Sequence, residues 1–172
     1  MSAGIARQVQ GLVADMRPGD QIELIDLREV DFTLNPDQYT SSAQSDQIRE
    51  IQDEILDPSK GLIFVIPEYN GSFPGILKTF IDAISVRNYE TAFSNKTALL
   101  IGVSTGRAGN LRGIDQMDHI LQYLGMHTFP KKLPISQVHL YSENGAIVEE
   151  NLLKDLSQTV HSYLEYSKYE AF

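Results

Sequence analysis

Two stretches of the chain are apolar almost without interruption. They are Gly61-Leu-Ile-Phe-Val-Ile66 and Thr97-Ala-Leu-Leu-Ile-Gly-Val103, and continuous runs of this length are the pattern of strands covered by helices on both faces. Around them apolar positions recur at helical spacing. Ile5, Val9, Leu12, Val13 and Met16 predict a first helix with Ser2 as N-cap and Pro18-Gly19 as its stop. Ser45 opens a short surface helix with Ile48, Ile51 and Ile55 on one face, ended by Pro58 and Gly61. Pro74 suits the first turn of a helix buried through Ile76, Leu77, Phe80, Ile81 and Ile84. A further helix uses Leu111, Ile114, Met117, Leu121 and Leu124, with Gly125 as its C′ residue. The last uses Leu152, Leu153, Leu156, Val160 and Leu164.

The intervening segments are weaker. Gln21 to Leu27 alternates imperfectly and predicts a strand nearer a sheet edge than its middle. Residues 31 to 45 are polar, contain a proline and show no period, so they read as a loop over the surface. A strand between His127 and Leu140 is interrupted by Pro130 and Pro134. Strands that alternate with helices predict an α/β domain with an open parallel sheet, spanning residues 1–172 as one unit.

Two glycine-bearing loops leave the core strands on the same edge of that sheet: Pro67-Glu-Tyr-Asn-Gly71 and Ser104-Thr-Gly-Arg-Ala-Gly109. Open α/β sheets bind ligands beyond the carboxyl ends of their strands, so these loops are the place to seek function. Each precedes a helix, whose N-terminal N–H groups and dipole favour an electron-rich or anionic ligand. Gly71, Gly106 and Gly109 allow close approach to a flat ring, Tyr69 can cover an aromatic face, and Asn70 both donates and accepts hydrogen bonds. The loops hold no Ser-His-Asp arrangement, metal-ligand cluster or Walker lysine. A cofactor that brings its own chemistry is the economical reading.

Composition narrows the partners. With 23 acidic against 14 basic residues and no Lys/Arg-rich run, the surface repels a phosphate backbone, and nucleic acid is excluded as a partner. The absence of Cys removes disulfides and thiolate chemistry. No signal-peptide pattern or long apolar span is present, so no membrane partner is expected and a cytoplasmic location is.

The run Pro67-Glu-Tyr-Asn-Gly-Ser-Phe-Pro-Gly-Ile-Leu-Lys78, followed by Ile81-Asp82, resembles the signature of the NADPH-dependent FMN reductases. That flavodoxin-like group includes azo, quinone and chromate reductases. The resemblance continues through residues 104 to 109 and the Leu124-Gly125 helix end. It implies a flavodoxin-like fold, FMN across the two loops, and NAD(P)H as co-substrate stacking on the exposed ring face. Pro67, Glu68, Tyr69, Asn70 and Gly71 would border the flavin from one loop, and Ser104, Thr105, Gly106, Arg107 and Gly109 from the other. It also implies a homodimer or homotetramer and a small-molecule electron acceptor: a flavin, quinone, azo compound or metal oxyanion.

The family begins with a strand and a Ser/Thr/Arg-rich loop that wraps the FMN phosphate. Here Ser2, with Ile5-Ala6, resembles the last hydroxyl position of that loop, and the expected first strand has no counterpart. The expectation is a true start further upstream or a rearranged sheet, and weak or no FMN binding if the 172 residues are the whole protein. A second class of function follows from it: a truncated domain without FMN, acting as an interaction or assembly protein.

Plainer readings stand beside these. Glu68 can be a solvated carboxylate, and Tyr69 can pack at a subunit interface. Arg107 can meet the phosphate of the nicotinamide cofactor or pair with an acidic neighbour. Lys78 and Asp82 have the spacing of a surface ion pair. His119, His127, His139 and His161 share no ligand spacing and read as structural, and Tyr163, Tyr166 and Tyr169 as helix packing.

Overall fold

A computed structural model describes residues 1–31, 40 and 44–169. The chain order is α1 (Ser2–Met16), α2 (Asp46–Glu50, continuing as a π-helical turn over Ile51–Leu56), β1 (Gly61–Pro67), α3 (Gly75–Ser85), α4 (Tyr89–Phe93), β2 (Thr97–Val103), α5 (Leu111–Tyr123), β3 (His127–Thr128) and β4 (Leu133–Ile135). A 3₁₀ turn (Val138–Leu140), a small hairpin of β5 (Ser142–Glu143) and β6 (Ala146–Ile147), and α6 (Glu150–Tyr169) complete the described elements. The architecture is the α/β type that the pattern predicts, with a parallel sheet between helical layers, and it fits the flavodoxin-like fold that the resemblance implies.

β2 is the axis of the sheet. Every one of its residues is buried; it pairs in parallel with β1 on one side, from Gly61 opposite Thr97 to Pro67 opposite Val103, and with β3 and β4 on the other. Its side chains alternate between two cores. Ala98 and Leu100 join Ile66, Phe80, Ile84, Ile114, Met117 and Leu121 beneath α3 and α5, whereas Leu99, Ile101 and Val103 join Ile5, Val9, Val13, Leu156 and Val160 beneath α1 and α6. Full burial of each such side chain contributes about 1.5–3 kcal/mol.

The segment from Gln21 to Leu27 departs from the expectation: it is irregular and belongs to no ladder. A strand requires a neighbour for its N–H and C=O groups, and among the described residues β1 has β2 as its only ladder partner. The segment is held by other means. Ile22 packs on the α1 and α6 side, Ile25 and Leu27 on the opposite side, and Gln10 donates from Nε2 to the Ile22 carbonyl at 3.2 Å. Most of the loop expected over 31 to 45 lies outside the described residues.

Smaller corrections concern helix starts. The N-cap of α1 is Met1, and Ser2 is its first helical residue; Pro74 is the N-cap of α3. Ser45 caps α2 as expected, its Oγ accepting from Ile48 N at 3.3 Å, and Gly125 takes φ +85° after α5. The interrupted strand between His127 and Leu140 becomes two short pieces, β3 and β4, separated by a Pro130-containing connection. α4 and the β5–β6 hairpin, for which the pattern provides no signal, are too short for a period to emerge.

Three polar contacts brace the scaffold. Buried Lys96 donates from Nζ to the carbonyls of Leu56 and Asp57 and to Ser59 Oγ, closing the end of the π-helical turn, and burial pushes its ammonium group below the ordinary value. Tyr163 of α6 meets Thr97 Oγ1 at 3.1 Å and reaches the carbonyls of Leu62 and Thr97; burial pushes its hydroxyl up to about 12. Burial also pushes the Asp118 carboxyl upward, but hydrogen bonds from Lys132, Thr128 and Gln122 outweigh it and hold the group below the usual range. Tyr163 and Tyr166 both pack against Phe129, with ring centroids 6.1 and 5.3 Å away, as helix-packing residues would. The side chain of Tyr169 lies outside the described residues.

A Cβ on Gly61 would lie 2.4 Å from Tyr163 Oη and 2.6 Å from Thr97 Oγ1. Gly61→Ala is therefore expected to destabilise the protein by about 2 kcal/mol in urea unfolding, and by less in a Tyr163→Phe background, where the oxygen is gone. Asp118, with its folded-state value depressed, contributes stability that is present above the ordinary carboxyl pKa and is lost as pH falls through the lower folded value. Asp118→Asn should lower stability at pH 7 by about 2 kcal/mol and flatten that acid limb; an unchanged limb would refute the assignment.

Candidate functional site

β1 and β2 end side by side, and the turns that follow them form the walls of a cleft. The first turn is closed by reciprocal backbone bonds between Tyr69 and Ser72, at 2.9 and 3.1 Å, with Asn70 at φ +52° and Gly71 at φ +77°. Two successive positive φ values define a type I′ turn, for which Asn-Gly is the favoured sequence. The turn is anchored at its root by Glu68 N donating to the Val103 carbonyl at 2.9 Å, and at its far end by Ser72 Oγ bonding Gln116 of α5.

The second turn is tied down from the other side. Ser104 N donates to the Ile135 carbonyl and Val138 N to the Ser104 carbonyl, at 2.9 and 3.0 Å; Gln137 N reaches the Gly106 carbonyl at 2.9 Å. Within it Ser104 Oγ accepts from Gly106 N at 2.9 Å, an ordinary hydroxyl-stabilised turn. Gly109, at φ +60°, lies where a Cβ would come within 2.7 Å of the Pro134 carbonyl carbon, so only glycine fits against β4.

The cleft has a volume of about 440 Å³ and is lined by Ser2, Pro67, Glu68, Asn70, Gly71, Ser104, Thr105 and Gly106, together with Met1, Val103 and Val138. The first eight are the residues singled out from sequence. Tyr69, Arg107 and Gly109 belong to the same turns but do not line the cleft: Tyr69 stands 62% exposed on the turn, Arg107 is exposed without an ion pair among the described residues, and Gly109 packs on β4. Val103 is the last residue of a strand already identified. Val138 reaches the cleft through a 3₁₀ turn remote in sequence, and nothing local to it signals this position.

Several features of the lining suit a flat, polar heterocycle such as FMN. The backbone N–H groups of Asn70, Gly71 and Thr105 have no protein acceptor among the described residues and are open to solvent or a ligand, Asn70 and Thr105 being exposed. Glu68 Oε2 is buried and likewise without a partner. The wall thus presents unmet donors and an unmet acceptor to the donors and acceptors on a flavin's edge. Ser2 and the first N–H groups of α1 supply a partly positive helix end. Among the described residues, no Lys or Arg side chain lines the cleft.

Other candidates resolve as structural. Lys78 and Asp82 form an exposed i, i+4 pair at 2.6 Å. No cluster of His, Asp and Glu able to hold a metal occurs among the described residues, and His119, His139 and His161 lie exposed. Among the described residues, no helix is long and apolar enough to cross a membrane.

The chain is 28% identical over 156 residues to an NAD(P)H-dependent FMN reductase of Pseudomonas aeruginosa, covering 90% of this chain and 82% of that protein. It is 25% identical over 169 residues to a 2-hydroxy-1,4-benzoquinone reductase of a Burkholderia species, with 91% and 85% covered. Its fold superposes with a TM-score of 0.80 on a flavoenzyme NAD(P)H:(acceptor) oxidoreductase from Paracoccus denitrificans, over 99% of this chain and 91% of that one at 19% identity. Residues 2–139 match the family profile of the NADPH-dependent FMN reductases, and the chain belongs to that family.

Proposed function

We propose that the protein is an NAD(P)H-dependent reductase that holds FMN in the cleft between the two turns and delivers electrons to a small organic or oxyanion acceptor. The observation that carries the reading is the set of unpartnered groups in the wall: N–H donors at Asn70, Gly71 and Thr105, and the buried Glu68 oxygen. Ligand-free, the Glu68 oxygen is uncompensated and the N–H donors turn to solvent; a flavin edge satisfies both kinds at once. The chemistry supplied by FMN, when bound, is hydride acceptance from NAD(P)H followed by release of the same two electrons to the acceptor.

The chain's own residues place and shield. Asn70, Gly71 and Thr105 donate from the backbone, which costs no side-chain ordering on binding. Glu68 accepts from a ligand N–H or hydroxyl. Pro67, Val103 and Val138 provide apolar walls that keep water from the reacting face. Ser2 and the α1 N-terminus meet the phosphate, and Tyr69 and Arg107, exposed beside the cleft, face the incoming NAD(P)H. A quinone, an azo compound and a flavin are all candidate acceptors. An assembly role without flavin has no comparable support.

The functional unit we propose is a homo-oligomer, dimer or tetramer. Tyr69, Ile76 and Leu111 are large, exposed side chains in or directly after the two turns, where a second copy would cover them. A cytoplasmic setting accords with the use of NAD(P)H.

Titrating the purified protein with FMN, followed by flavin fluorescence, tests the reading: saturable binding is expected, and NAD(P)H oxidation should then depend on added acceptor. Because the phosphate meets a helix end and, among the described residues, no Lys or Arg side chain, FMN should bind only about tenfold more tightly than riboflavin. Failure of both flavins to bind would overturn the proposal. Glu68→Ala should weaken FMN by roughly tenfold or more through loss of a charged acceptor, with an unaltered circular dichroism spectrum.

A further inference from the structure

Asn110 occupies a position that a simple helix cap does not explain. It precedes α5 and adopts the left-handed conformation, φ +61° and ψ +31°, at 1% exposure. An Asn before a helix ordinarily turns its side chain back onto the helix's own first N–H groups. This one makes no such bond. Its Nδ2 instead donates to the carbonyls of Ile66 and Pro67, at 3.0 and 3.1 Å, the last two residues of β1. Its Oδ1 stays buried and without a partner.

Two glycines clear the path. A Cβ on Gly102 would come within 3.3 Å of Asn110 Cβ and 2.3 Å of the Gly109 carbonyl oxygen, and one on Gly113 within 2.2 Å of Asn110 Oδ1. The side chain therefore threads between β2 and α5 to reach a third element. Both the left-handed backbone and the unpaired Oδ1 are local costs that a glycine at this position would avoid. Strain of this kind persists only where surrounding structure demands it, and its presence next to a ligand cleft points to a role there.

We infer that Asn110 is a positioning residue that sets the turn 67–72 against the turn 104–109 and so fixes the width of the cofactor cleft. The turn 67–72 is held at both ends by one helix: Asn110 grips its root at Ile66 and Pro67, and Gln116 grips Ser72. The second turn runs directly into the same helix through Gly109 and Asn110. α5 is thus a common spacer for the two walls. The Asn110 bonds add to the backbone ladder between β1 and β2 at its last two rungs, Ile66 and Pro67, directly before the turns begin to diverge.

The inference rests on the flavin reading for its consequence, though not for its geometry, so two measurements separate them. Amide hydrogen exchange of ligand-free wild type and Asn110→Gly reads the clamp directly. Glycine keeps the left-handed backbone and removes only the side chain. Exchange at Glu68 and Tyr69 is expected to quicken roughly tenfold, the opening equivalent of about one lost buried hydrogen bond, while Leu99, Leu100 and Ile101 of β2 stay protected. FMN affinity of the same variant should fall roughly tenfold, the scale of one such bond. Asn110→Asp, which keeps the shape and replaces the donor by an acceptor facing two carbonyls, should weaken FMN at least as much; if it does not fold, the glycine variant decides. Unchanged exchange at Glu68 and Tyr69, or an equal rise throughout β2, would overturn the clamp. A local rise with unchanged FMN affinity would overturn the positioning role. Wild-type protein that binds no flavin would refute the flavin reading while leaving the exchange result to judge the clamp.

Discussion

The burial of β2 constrains the rest of the molecule. A strand whose seven residues are all inaccessible must have ladder partners along it and apolar cover above and below, because every unpaired N–H or C=O there would cost about 1–3 kcal/mol. β1, β3 and β4 supply the first, and the α3/α5 and α1/α6 layers supply the second. The parallel sense follows from the α3–α4 crossover between β1 and β2. Once both strands run the same way, their following turns emerge together, and the cleft is placed before any functional residue is considered.

What the cleft can do then depends on backbone conformation more than on side-chain chemistry. Asn70, Gly71, Gly109 and Asn110 all take left-handed φ values within the two turns or at their junction with α5. Such turns leave N–H groups unpaired, and the helix ends behind them add partial positive charge. In an acidic protein of formal charge −9 these groups set partial positive charge beside the Glu68 carboxylate. It is also an arrangement that needs no reactive side chain, in keeping with membership of a family whose chemistry resides in its flavin.

The scaffold under the turns is stiff at points that the hydrophobic pattern does not reveal. Tyr163 ties α6 to β1 and β2 at their amino ends, through an oxygen in the space left by Gly61. Asp118 and Lys132 tie α5 to the approach to β4 at 2.7 Å. Both contacts join elements that carry or support the cleft, and both involve polar groups whose burial would be unfavourable without these partners.

The order of these amino acids by itself determined the strands 61–67 and 97–103, the helices that flank them and the Asn-Gly turn. Each of these depends on interactions within a few residues: period, capping, or a φ that Asn and Gly tolerate. Glu68, Asn70, Ser104, Thr105 and Gly106 could be singled out because they follow directly from where the strands stop, and Ser2 through its resemblance to a phosphate-loop position. Tertiary structure alone decided the remainder. Gln21 to Leu27 has strand-like composition but no ladder partner among the described residues, so its conformation was set by what lay beside it. Val138 entered the cleft, Tyr69 turned outward from it, and Asn110 bypassed its own helix to hold β1. These outcomes join residues tens of positions apart, and short-range periodicity carries no information about which distant groups a folded chain will bring within hydrogen-bonding reach.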